Sequence, residues 1–241
     1  AGGTTAEHDG QYVWHDVTIS DARPYPLSLD RQGFALGSHE TAIIDFHDDQ
    51  VLATTYDAEL EALLTAHTGA RRVHVFDHTR RAASDSVRRQ QTMREPSGVL
   101  HNDYTAWSAE KRLAEILPDE AATLMSGRFA IVNVWRSIAG TVETMPLAFC
   151  DSTTLGPDDI VAVTRQAKDR IGQIQMAHFN PAHRWCYFPR MTADEVALIK
   201  TYDSALDGRN RFTIHTAFAD PSSVDDALPR QSIESRAFLF F

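Results

Sequence analysis

Two side chains that can bind a metal stand one residue apart in the segment His101-Asn-Asp-Tyr-Thr105. On a β-strand, residues i and i+2 point to the same side, so His101 and Asp103 can reach one ion while Asn102 faces away. Two histidines and a carboxylate on one face of an octahedron leave three positions open, which is the geometry of non-heme Fe(II) sites that activate oxygen. The segment therefore predicts two of three ligands, and a distant strand must supply the third.

A histidine in a strand-like run far downstream is the best candidate for the third ligand. His215 lies in Arg211-Phe-Thr-Ile-His-Thr-Ala-Phe218, where aromatic, β-branched and apolar residues are typical of a buried strand. Taken alone, such a histidine is more often a buried structural residue, and a lone His-x-Asp triplet more often belongs to a surface loop. Their order in one chain, followed by an arginine and serine pair, is what predicts a site.

The segment Pro229-Arg-Gln-Ser232 predicts a carboxylate-binding pair. The planar guanidinium of Arg230 can grip a carboxylate through two parallel hydrogen bonds, and the Ser232 hydroxyl points the same way along a strand. Such a pair would hold the far carboxylate of a dicarboxylic co-substrate whose other end chelates the metal. Arg236 shares that face of a regular strand, although a structural ion pair with a nearby carboxylate is an equal interpretation for it.

Two more polar residues are candidates to contact co-substrate or substrate. In Val132-Asn-Val-Trp-Arg136, alternation puts Asn133 and Trp135 on one face of a strand and Arg136 on the other. A charged residue inside an apolar strand is costly unless it is paired. Arg136 therefore either lies at the strand end in solvent or binds an anion in the pocket.

Other histidines compete for the metal. His74 and His78 flank Asp77 at helical spacing, but the local pattern is β-like, which favours a pocket-lining role for them. His183 is the main rival to His215 as the distal ligand, although no arginine followed by serine stands at a suitable distance from it. Replacing His183 and His215 one at a time separates these alternatives.

Length and composition predict one compact domain over residues 1–241. A hydrophobic fraction of 43% is enough for a real core and excludes a disordered chain. A net charge of −10 argues against binding to nucleic acid or to acidic membrane surfaces. It does not argue against an acidic co-substrate, because local arginines can still make a positive pocket.

The cysteines and the lengths of the apolar runs indicate in which cellular compartment the protein is expected. Cys150 and Cys186 have no CxxC spacing, so we expect two reduced thiols in a cytoplasmic protein rather than a disulfide framework or a structural zinc site. No uninterrupted apolar run approaches the length of a membrane span, and the N-terminus lacks a charged region followed by an apolar one, as a signal peptide would have. No membrane partner is predicted, and the oligomeric state stays open.

The first half of the chain predicts a cap portion, residues 1–56, followed by helices. Leucines at helical spacing predict a helix that ends at Gly69, and Pro118 divides a second helical region that Ser108 caps. The predicted elements are strand-like pieces over 11–20 and 41–46, a helix over 57–67, a strand over 73–78, an exposed loop or lid over 80–91, and the helical region over 108–125.

The second half predicts strands. They cover 129–138, 147–150, 159–164, 185–188, 195–202, 212–218 and 233–240, and the piece 195–200 could equally be a short helix. Six or more strands after the helices suggest two packed sheets that close on a cavity. The predicted fold class is mainly β, a jelly-roll barrel with supporting helices in the N-terminal half.

Several segments also carry a family resemblance. They are His101-Asn-Asp-Tyr-Thr105, Val132-Asn-Val-Trp-Arg136, Pro146-Leu-Ala-Phe-Cys-Asp151, Tyr187-Phe-Pro-Arg-Met-Thr192 with Asp194-Glu-Val196, Tyr202-Asp-Ser204, His215-Thr-Ala-Phe218 and Ser232-Ile-Glu-Ser-Arg236. Together they resemble the hydroxylase/desaturase family that includes the cephalosporin 7α-methoxylation component and fungal oxygenases of secondary metabolism. The resemblance covers residues 70–241, the expected catalytic core.

This resemblance implies a double-stranded β-helix, with Fe(II), 2-oxoglutarate and O2 used to oxidise an aliphatic carbon of a small molecule. It names a chemistry without choosing among hydroxylation, desaturation and ring formation. The chain departs from the family in being short and in having Cys186 where an aromatic residue is commoner. Two alternatives stay open: a metal-dependent cupin-like isomerase or hydrolase, and a non-catalytic barrel that binds a small molecule.

Overall fold

The computed structural model describes residues 13–167 and 170–241. Its strands are β1 (Ile19–Asp21), β2 (Phe34–Ser38), β3 (Arg72–Ala82), β4 (Phe129–Ser137), β5 (Leu147–Cys150), β6 (Ile160–Ala167), β7 (Arg170–Ala177), β8 (Trp185–Tyr187), β9 (Glu195–Asp203), β10 (His215–Ala217) and β11 (Gln231–Phe240). Its α-helices are α1 (Asp49–Val51), α2 (Asp57–Thr68), α3 (Asp85–Gln91), α4 (Ala106–Ile116) and α5 (Ala121–Met125).

Two sheets enclose the interior. A five-stranded sheet has the order β2-β9-β4-β11-β3, a four-stranded sheet has the order β1-β8-β5-β10, and β6 and β7 form a separate ribbon. Phe34 and Trp135 from the first sheet share one buried cluster with Phe149 and Cys186 from the second, so the sheets pack face to face. The predicted mainly β, double-stranded β-helix with helices in the first half is confirmed.

The outer face of the five-stranded sheet is covered by α2. Leu60 and Leu64 of this helix pack in one buried cluster with Val132, Val134 and Leu239 from the central strands. Alternation along each strand sends these apolar residues outward and their neighbours into the barrel. The same strands therefore carry one apolar face against the helix and one face toward the interior.

The helix predicted over 57–67 is confirmed, and it ends as expected at Gly69, whose φ is +71. It has no cap of its own, because a π-helical segment, Leu52–Tyr56, joins it to α1. The N-cap is Asp48, whose carboxylate accepts from the backbone N–H groups of Gln50 and Val51. The sequence prediction missed the helical residues before α2, because the capping residue Asp48 lies upstream of the leucines that indicated the helix.

Several predicted boundaries in the first half are wrong. The piece 41–46 is irregular, and of the piece 11–20 only Ile19 and Ser20 belong to a strand, while residues 11 and 12 lie outside the described residues. The exposed loop over 80–91 is the end of β3 followed by α3. Thr105, not Ser108, caps α4, because the Thr105 hydroxyl accepts from the Ser108 backbone in a capping box.

The strands of the second half are largely confirmed. The 195–202 segment is strand β9 and not a helix, since it pairs with both β2 and β4 in the middle of a sheet. Sequence reasoning missed β2 and β7, and only His215–Ala217 of the predicted 212–218 strand is regular. The His-x-Asp segment is an isolated bridge rather than a strand, with His101 opposite His215 and Asn102 opposite Gln175.

Within the described residues, no helix is both long and apolar enough to cross a membrane. Cys150 and Cys186 are buried and free, as the absence of CxxC spacing predicts.

Gly33 allows the close approach between β2 and the segment that leads into β10. Its φ is +95, and a Cβ there would lie 2.2 Å from Thr213 Oγ1 and 2.4 Å from Asn210 Nδ2. We expect Gly33→Ala to lower the free energy of unfolding by about 2–5 kcal/mol, through backbone strain plus overpacking. Urea denaturation measures the change.

Gly140→Ala is the matched control. Its φ is also positive, +80, but a Cβ at this position meets nothing within 4 Å. Strain alone should then cost about 1 kcal/mol. An equal loss of unfolding free energy in the two variants would show that the close approach of Thr213 to Gly33 adds nothing to the cost of the substitution.

Candidate metal centre

The structure brings His101, Asp103 and His215 together. One ligand atom from each side chain lies within 4.8 Å of the other two. The two histidines meet because their backbones form a bridge, with His101 N–H donating to His215 C=O at 3.0 Å and His215 N–H donating to His101 C=O at 2.8 Å. Within the described chain, this is the group of histidine and acidic side chains that could hold a metal ion.

Hydrogen bonds fix both imidazoles in the form that ligates metal. His101 Nδ1 lies 2.7 Å from Val99 C=O, and His215 Nδ1 lies 2.9 Å from Thr213 C=O. A carbonyl can only accept, so each Nδ1 carries the proton and each Nε2 keeps its lone pair for a metal. Burial lowers the pKa of His215, which also favours the neutral imidazole.

The Asp103 carboxylate is held on one side and free on the other. Its Oδ2 accepts from Asn133 Nδ2 and from Arg236 Nε, both at 2.8 Å, while its Oδ1 lies 3.4 Å from His101 Nε2. Burial alone would raise the pKa of Asp103, but the charge of Arg236 reverses the shift and holds it well below its usual range. Asp103 therefore stands as an anion with one oxygen available for a metal.

Arg236 joins the metal ligand to two further carboxylates. Besides Asp103, it donates to Asp77 at 2.7 Å and forms a short contact with Glu234. Desolvation opposes its charge, but the surrounding carboxylates raise the pKa of Arg236 well above its ordinary value. Of the two interpretations of Arg236, the structure shows the ion pair with nearby carboxylates.

Asn102 was missed by sequence reasoning because it faces away from the metal. It is fully buried, and its Nδ2 donates to Tyr104 C=O at 2.7 Å, Gln175 Oε1 at 2.9 Å and Thr201 C=O at 3.0 Å. These bonds tie the ligand-bearing segment to β7 and β9. The sequence did contain one signal for Asn102, its position between two metal ligands, because a buried amide there can hold the backbone of both ligands in place.

Arg230 and Ser232 lie in the interior with hydrogen-bonding capacity left over. Both side chains are buried, and Arg230 stacks over the Trp135 ring with 5.2 Å between the guanidinium carbon and the ring centroid. Arg230 donates from Nη1 to Met145 C=O, but neither Arg230 Nε nor Ser232 Oγ has a partner within the described chain. Burial and the neighbouring charge of Arg81 lower the pKa of Arg230 to about 9.

Asn133 and Arg136 point to opposite sides of β4, as alternation predicts. Asn133 lies inside, bonded to Asp103 and, at 3.0 Å, to Glu234. Arg136 lies outside, where it bonds to His39 and to Ala193 C=O against the helical layer. It is neither in solvent nor among the side chains around the triad, because the register of β4 sends it to the α2 side.

The rival histidines are engaged elsewhere. His78 contacts Ser235 at 2.8 Å and Asp57 at 3.0 Å on the outer face of the sheet. His183 Nε2 lies 2.9 Å from Asp159. Neither belongs to the metal-binding group.

Removing one histidine at a time tests the ligand set. We expect His215→Ala to abolish stoichiometric Fe(II) or Co(II) binding, because it leaves only two ligands on the metal. His183→Ala is the matched control and should bind metal as wild type does. Anaerobic calorimetry measures both, and loss of binding in His183→Ala with retention in His215→Ala would overturn the assignment.

Asn133→Ala tests the hydrogen bond that orients Asp103. Partners of this kind typically contribute about 10- to 100-fold to metal affinity, so we expect a loss of that size in Co(II) binding with the fold intact. Asn180→Ala removes a comparable amide that bonds to Asp159 away from the triad, and should leave the affinity unchanged. Equal affinity in Asn133→Ala and wild type would show that Arg236 alone orients the carboxylate.

Comparisons with known proteins agree with this geometry. A family model described as an oxidoreductase/YMDC permease-like domain matches residues 2–240. The hydroxylase/desaturase CTB9 of Cercospora beticola is 33% identical over 264 residues, covering 100% of this chain and 81% of the relative. The Fe(II)/2-oxoglutarate-dependent dioxygenase nvfI of Aspergillus novofumigatus is 31% identical, covering 94% of this chain and 83% of the relative.

A solved structure is similar over nearly the whole chain. The iron and α-ketoglutarate-dependent endoperoxidase NvfI matches with a TM-score of 0.88 and 28% identity, over 98% of this chain and 92% of that one. The similarity thus begins well before residue 70, where the family resemblance in the sequence begins. The chain belongs to the hydroxylase/desaturase family of Fe(II)/2-oxoglutarate-dependent oxygenases.

Proposed function

We propose that His101, Asp103 and His215 bind the Fe(II), that Arg230 and Ser232 hold the far carboxylate of 2-oxoglutarate, and that the substrate is a small molecule oxidised at an aliphatic C–H. The observation that carries this assignment is the pair of buried donors, Arg230 Nε and Ser232 Oγ, at the start of β11, which have no partner among the described residues. Buried polar groups are normally satisfied, and a carboxylate would accept from both.

The electrostatics of this pair fit an anion. Burial lowers the pKa of Arg230 to about 9 because no carboxylate of the described chain pairs with its guanidinium. A carboxylate placed there would stabilise the charged guanidinium and would gain strong hydrogen bonds in a dry site. Arg230 directly precedes β11, and Ser232 lies on it. The same strand continues to Arg236, which bonds to the metal ligand Asp103.

At the metal, the chain's own side chains do the orienting. His101 and His215 present Nε2 because their Nδ1 protons are bonded to carbonyls, and Asp103 presents Oδ1 because Oδ2 is bonded to Asn133 and Arg236. Three ligands on one face leave room for a chelating co-substrate and for oxygen. When bound, iron with 2-oxoglutarate and O2 supplies the oxidising power for the C–H bond.

Relatives of this chain differ in activity. CTB9 is a hydroxylase/desaturase, and NvfI is an endoperoxidase. Similar chains therefore lead to different products. We propose that this chain likewise hydroxylates, desaturates or closes a ring on a small molecule of natural-product biosynthesis. The two free, buried thiols fit a reducing, cytoplasmic compartment.

The first measurement is an anaerobic titration of the Fe(II)-loaded protein with 2-oxoglutarate, followed by the visible charge-transfer band of the chelate. We expect the band in wild type, and a 10- to 100-fold weaker apparent affinity in Arg230→Ala, on the order expected for lost charge-assisted hydrogen bonds. Arg190→Ala, an exposed arginine, is the control and should titrate as wild type does.

Iron-loaded, folded wild type that shows no band would exclude the oxygenase assignment. A cupin-like isomerase or hydrolase would then be the better interpretation, since it needs neither the clamp nor oxygen. Oxygen consumption and succinate release with a correct substrate separate the enzyme from a barrel that only binds small molecules.

A further inference from the structure

A second arginine lies beside the proposed clamp. Arg81 is on β3, and it stands directly opposite Ser232 in the pairing of β3 with β11. The neighbours of Arg81 show which way it faces. Arg80 contacts Asp49 and His78 contacts Asp57 on the helix-covered face, so alternation sends Arg81 into the barrel.

Thr79, two residues before Arg81, supports the same direction. Its hydroxyl accepts from Arg236 at 3.1 Å, within the polar cluster around Asp103. Thr79 and Arg81 therefore follow one another along the inner face of β3, from the metal end of the interior toward the clamp end. Side chains directly opposite each other on paired strands start only about 4.5–5.5 Å apart at Cβ. An anion that reaches Ser232 Oγ is thus within reach of Arg81.

The charge at this end of the interior is unbalanced. Arg81 donates to Glu95 C=O at 2.6 Å, and Arg230 donates to Met145 C=O. Within the described chain, neither guanidinium forms an ion pair with a carboxylate, whereas Arg236 pairs with Asp77, Asp103 and Glu234. Burial lowers the pKa of Arg81, and Arg81 in turn lowers the pKa of Arg230. Arg230 is buried and Arg81 is half-buried, and two such cations close together are costly unless an anion lies between them.

We propose that Arg81 is a second cationic ligand of the far carboxylate of 2-oxoglutarate, donating from the side opposite Arg230 and Ser232. This inference rests on the proposed function. A carboxylate has about four lone-pair positions, so two guanidinium groups and one hydroxyl can all bond to it. The far carboxylate then supplies the ion-pair partner that neither arginine has among the described residues.

This arrangement makes recognition depend strongly on the far carboxylate. A 2-oxo acid without that group keeps the metal-chelating end but loses every contact to Arg81, Arg230 and Ser232. 2-Oxopentanoate has the same five-carbon chain and lacks only the second carboxylate. The ratio of the two affinities therefore reports on the clamp, whereas general damage to the fold or the metal site weakens both compounds together.

The test measures apparent affinities for 2-oxoglutarate and 2-oxopentanoate by anaerobic titration of the Fe(II) protein, in wild type, Arg81→Met and Arg230→Met. We expect Arg81→Met to lower the apparent affinity for 2-oxoglutarate by about 10- to 100-fold, which is the effect of losing a charge-assisted hydrogen bond. The affinity for 2-oxopentanoate should stay within about twofold of the wild-type value. Arg94→Met is the matched control, since Arg94 pairs with Arg81 through its backbone but its side chain is exposed.

Unchanged affinity for 2-oxoglutarate in Arg81→Met overturns the inference, and so does an equal loss for both compounds. If Arg81→Met fails to fold, Arg81→Lys is judged by the same ratio, because it keeps the charge and loses the second donor of the fork. Arg230→Met distinguishes failure of the inference about Arg81 from failure of the proposed function. A loss in Arg230→Met without one in Arg81→Met leaves the proposed function standing, while wild-type affinity in Arg230→Met removes the clamp itself.

Discussion

The site depends on the backbone bridge between His101 and His215. Two reciprocal hydrogen bonds join a segment that is otherwise irregular to the short strand β10, and they bring the imidazole rings to 4.8 Å between centroids. In both histidines the Nδ1 proton goes to the carbonyl two residues upstream, Val99 or Thr213. One bridge in extended backbone thus fixes the position, the orientation and the protonation of two ligands.

The rest of the site follows from strand alternation in the five-stranded sheet. Along β11, Ser232, Glu234 and Arg236 face the interior, while Ile233 belongs to the core under α2. A slip of one residue would turn the clamp and the partner of Asp103 toward the helix. Pairing with β3 over ten residues and with β4 over nine opposes such a slip.

Charge is distributed very unevenly inside a protein whose net charge is −10. At the metal end, one guanidinium is surrounded by carboxylates, and the Asp103 anion is stabilised before any metal arrives. At the clamp end, the guanidinium groups of Arg81 and Arg230 bond, among the residues that the structure describes, to backbone carbonyls alone. Desolvation makes the second arrangement unfavourable for the protein alone, so the interior favours a ligand that brings a negative charge to that end. The net charge could not reveal this distribution, because it sums all charged residues and most of them lie on the protein surface, away from the interior.

The sequence by itself predicted the chemistry of the ligands, their order along the chain, the jelly-roll class and most strands of the second half. Those features are local: they depend on residue type, on the i, i+2 repeat and on apolar runs. Only the tertiary structure decided that His101 lies in a bridge rather than a strand, that Arg136 lies outside the barrel, and that Arg81 lies beside Ser232. These outcomes depend on the register between strands far apart in sequence, and single-strand patterns carry no information about register.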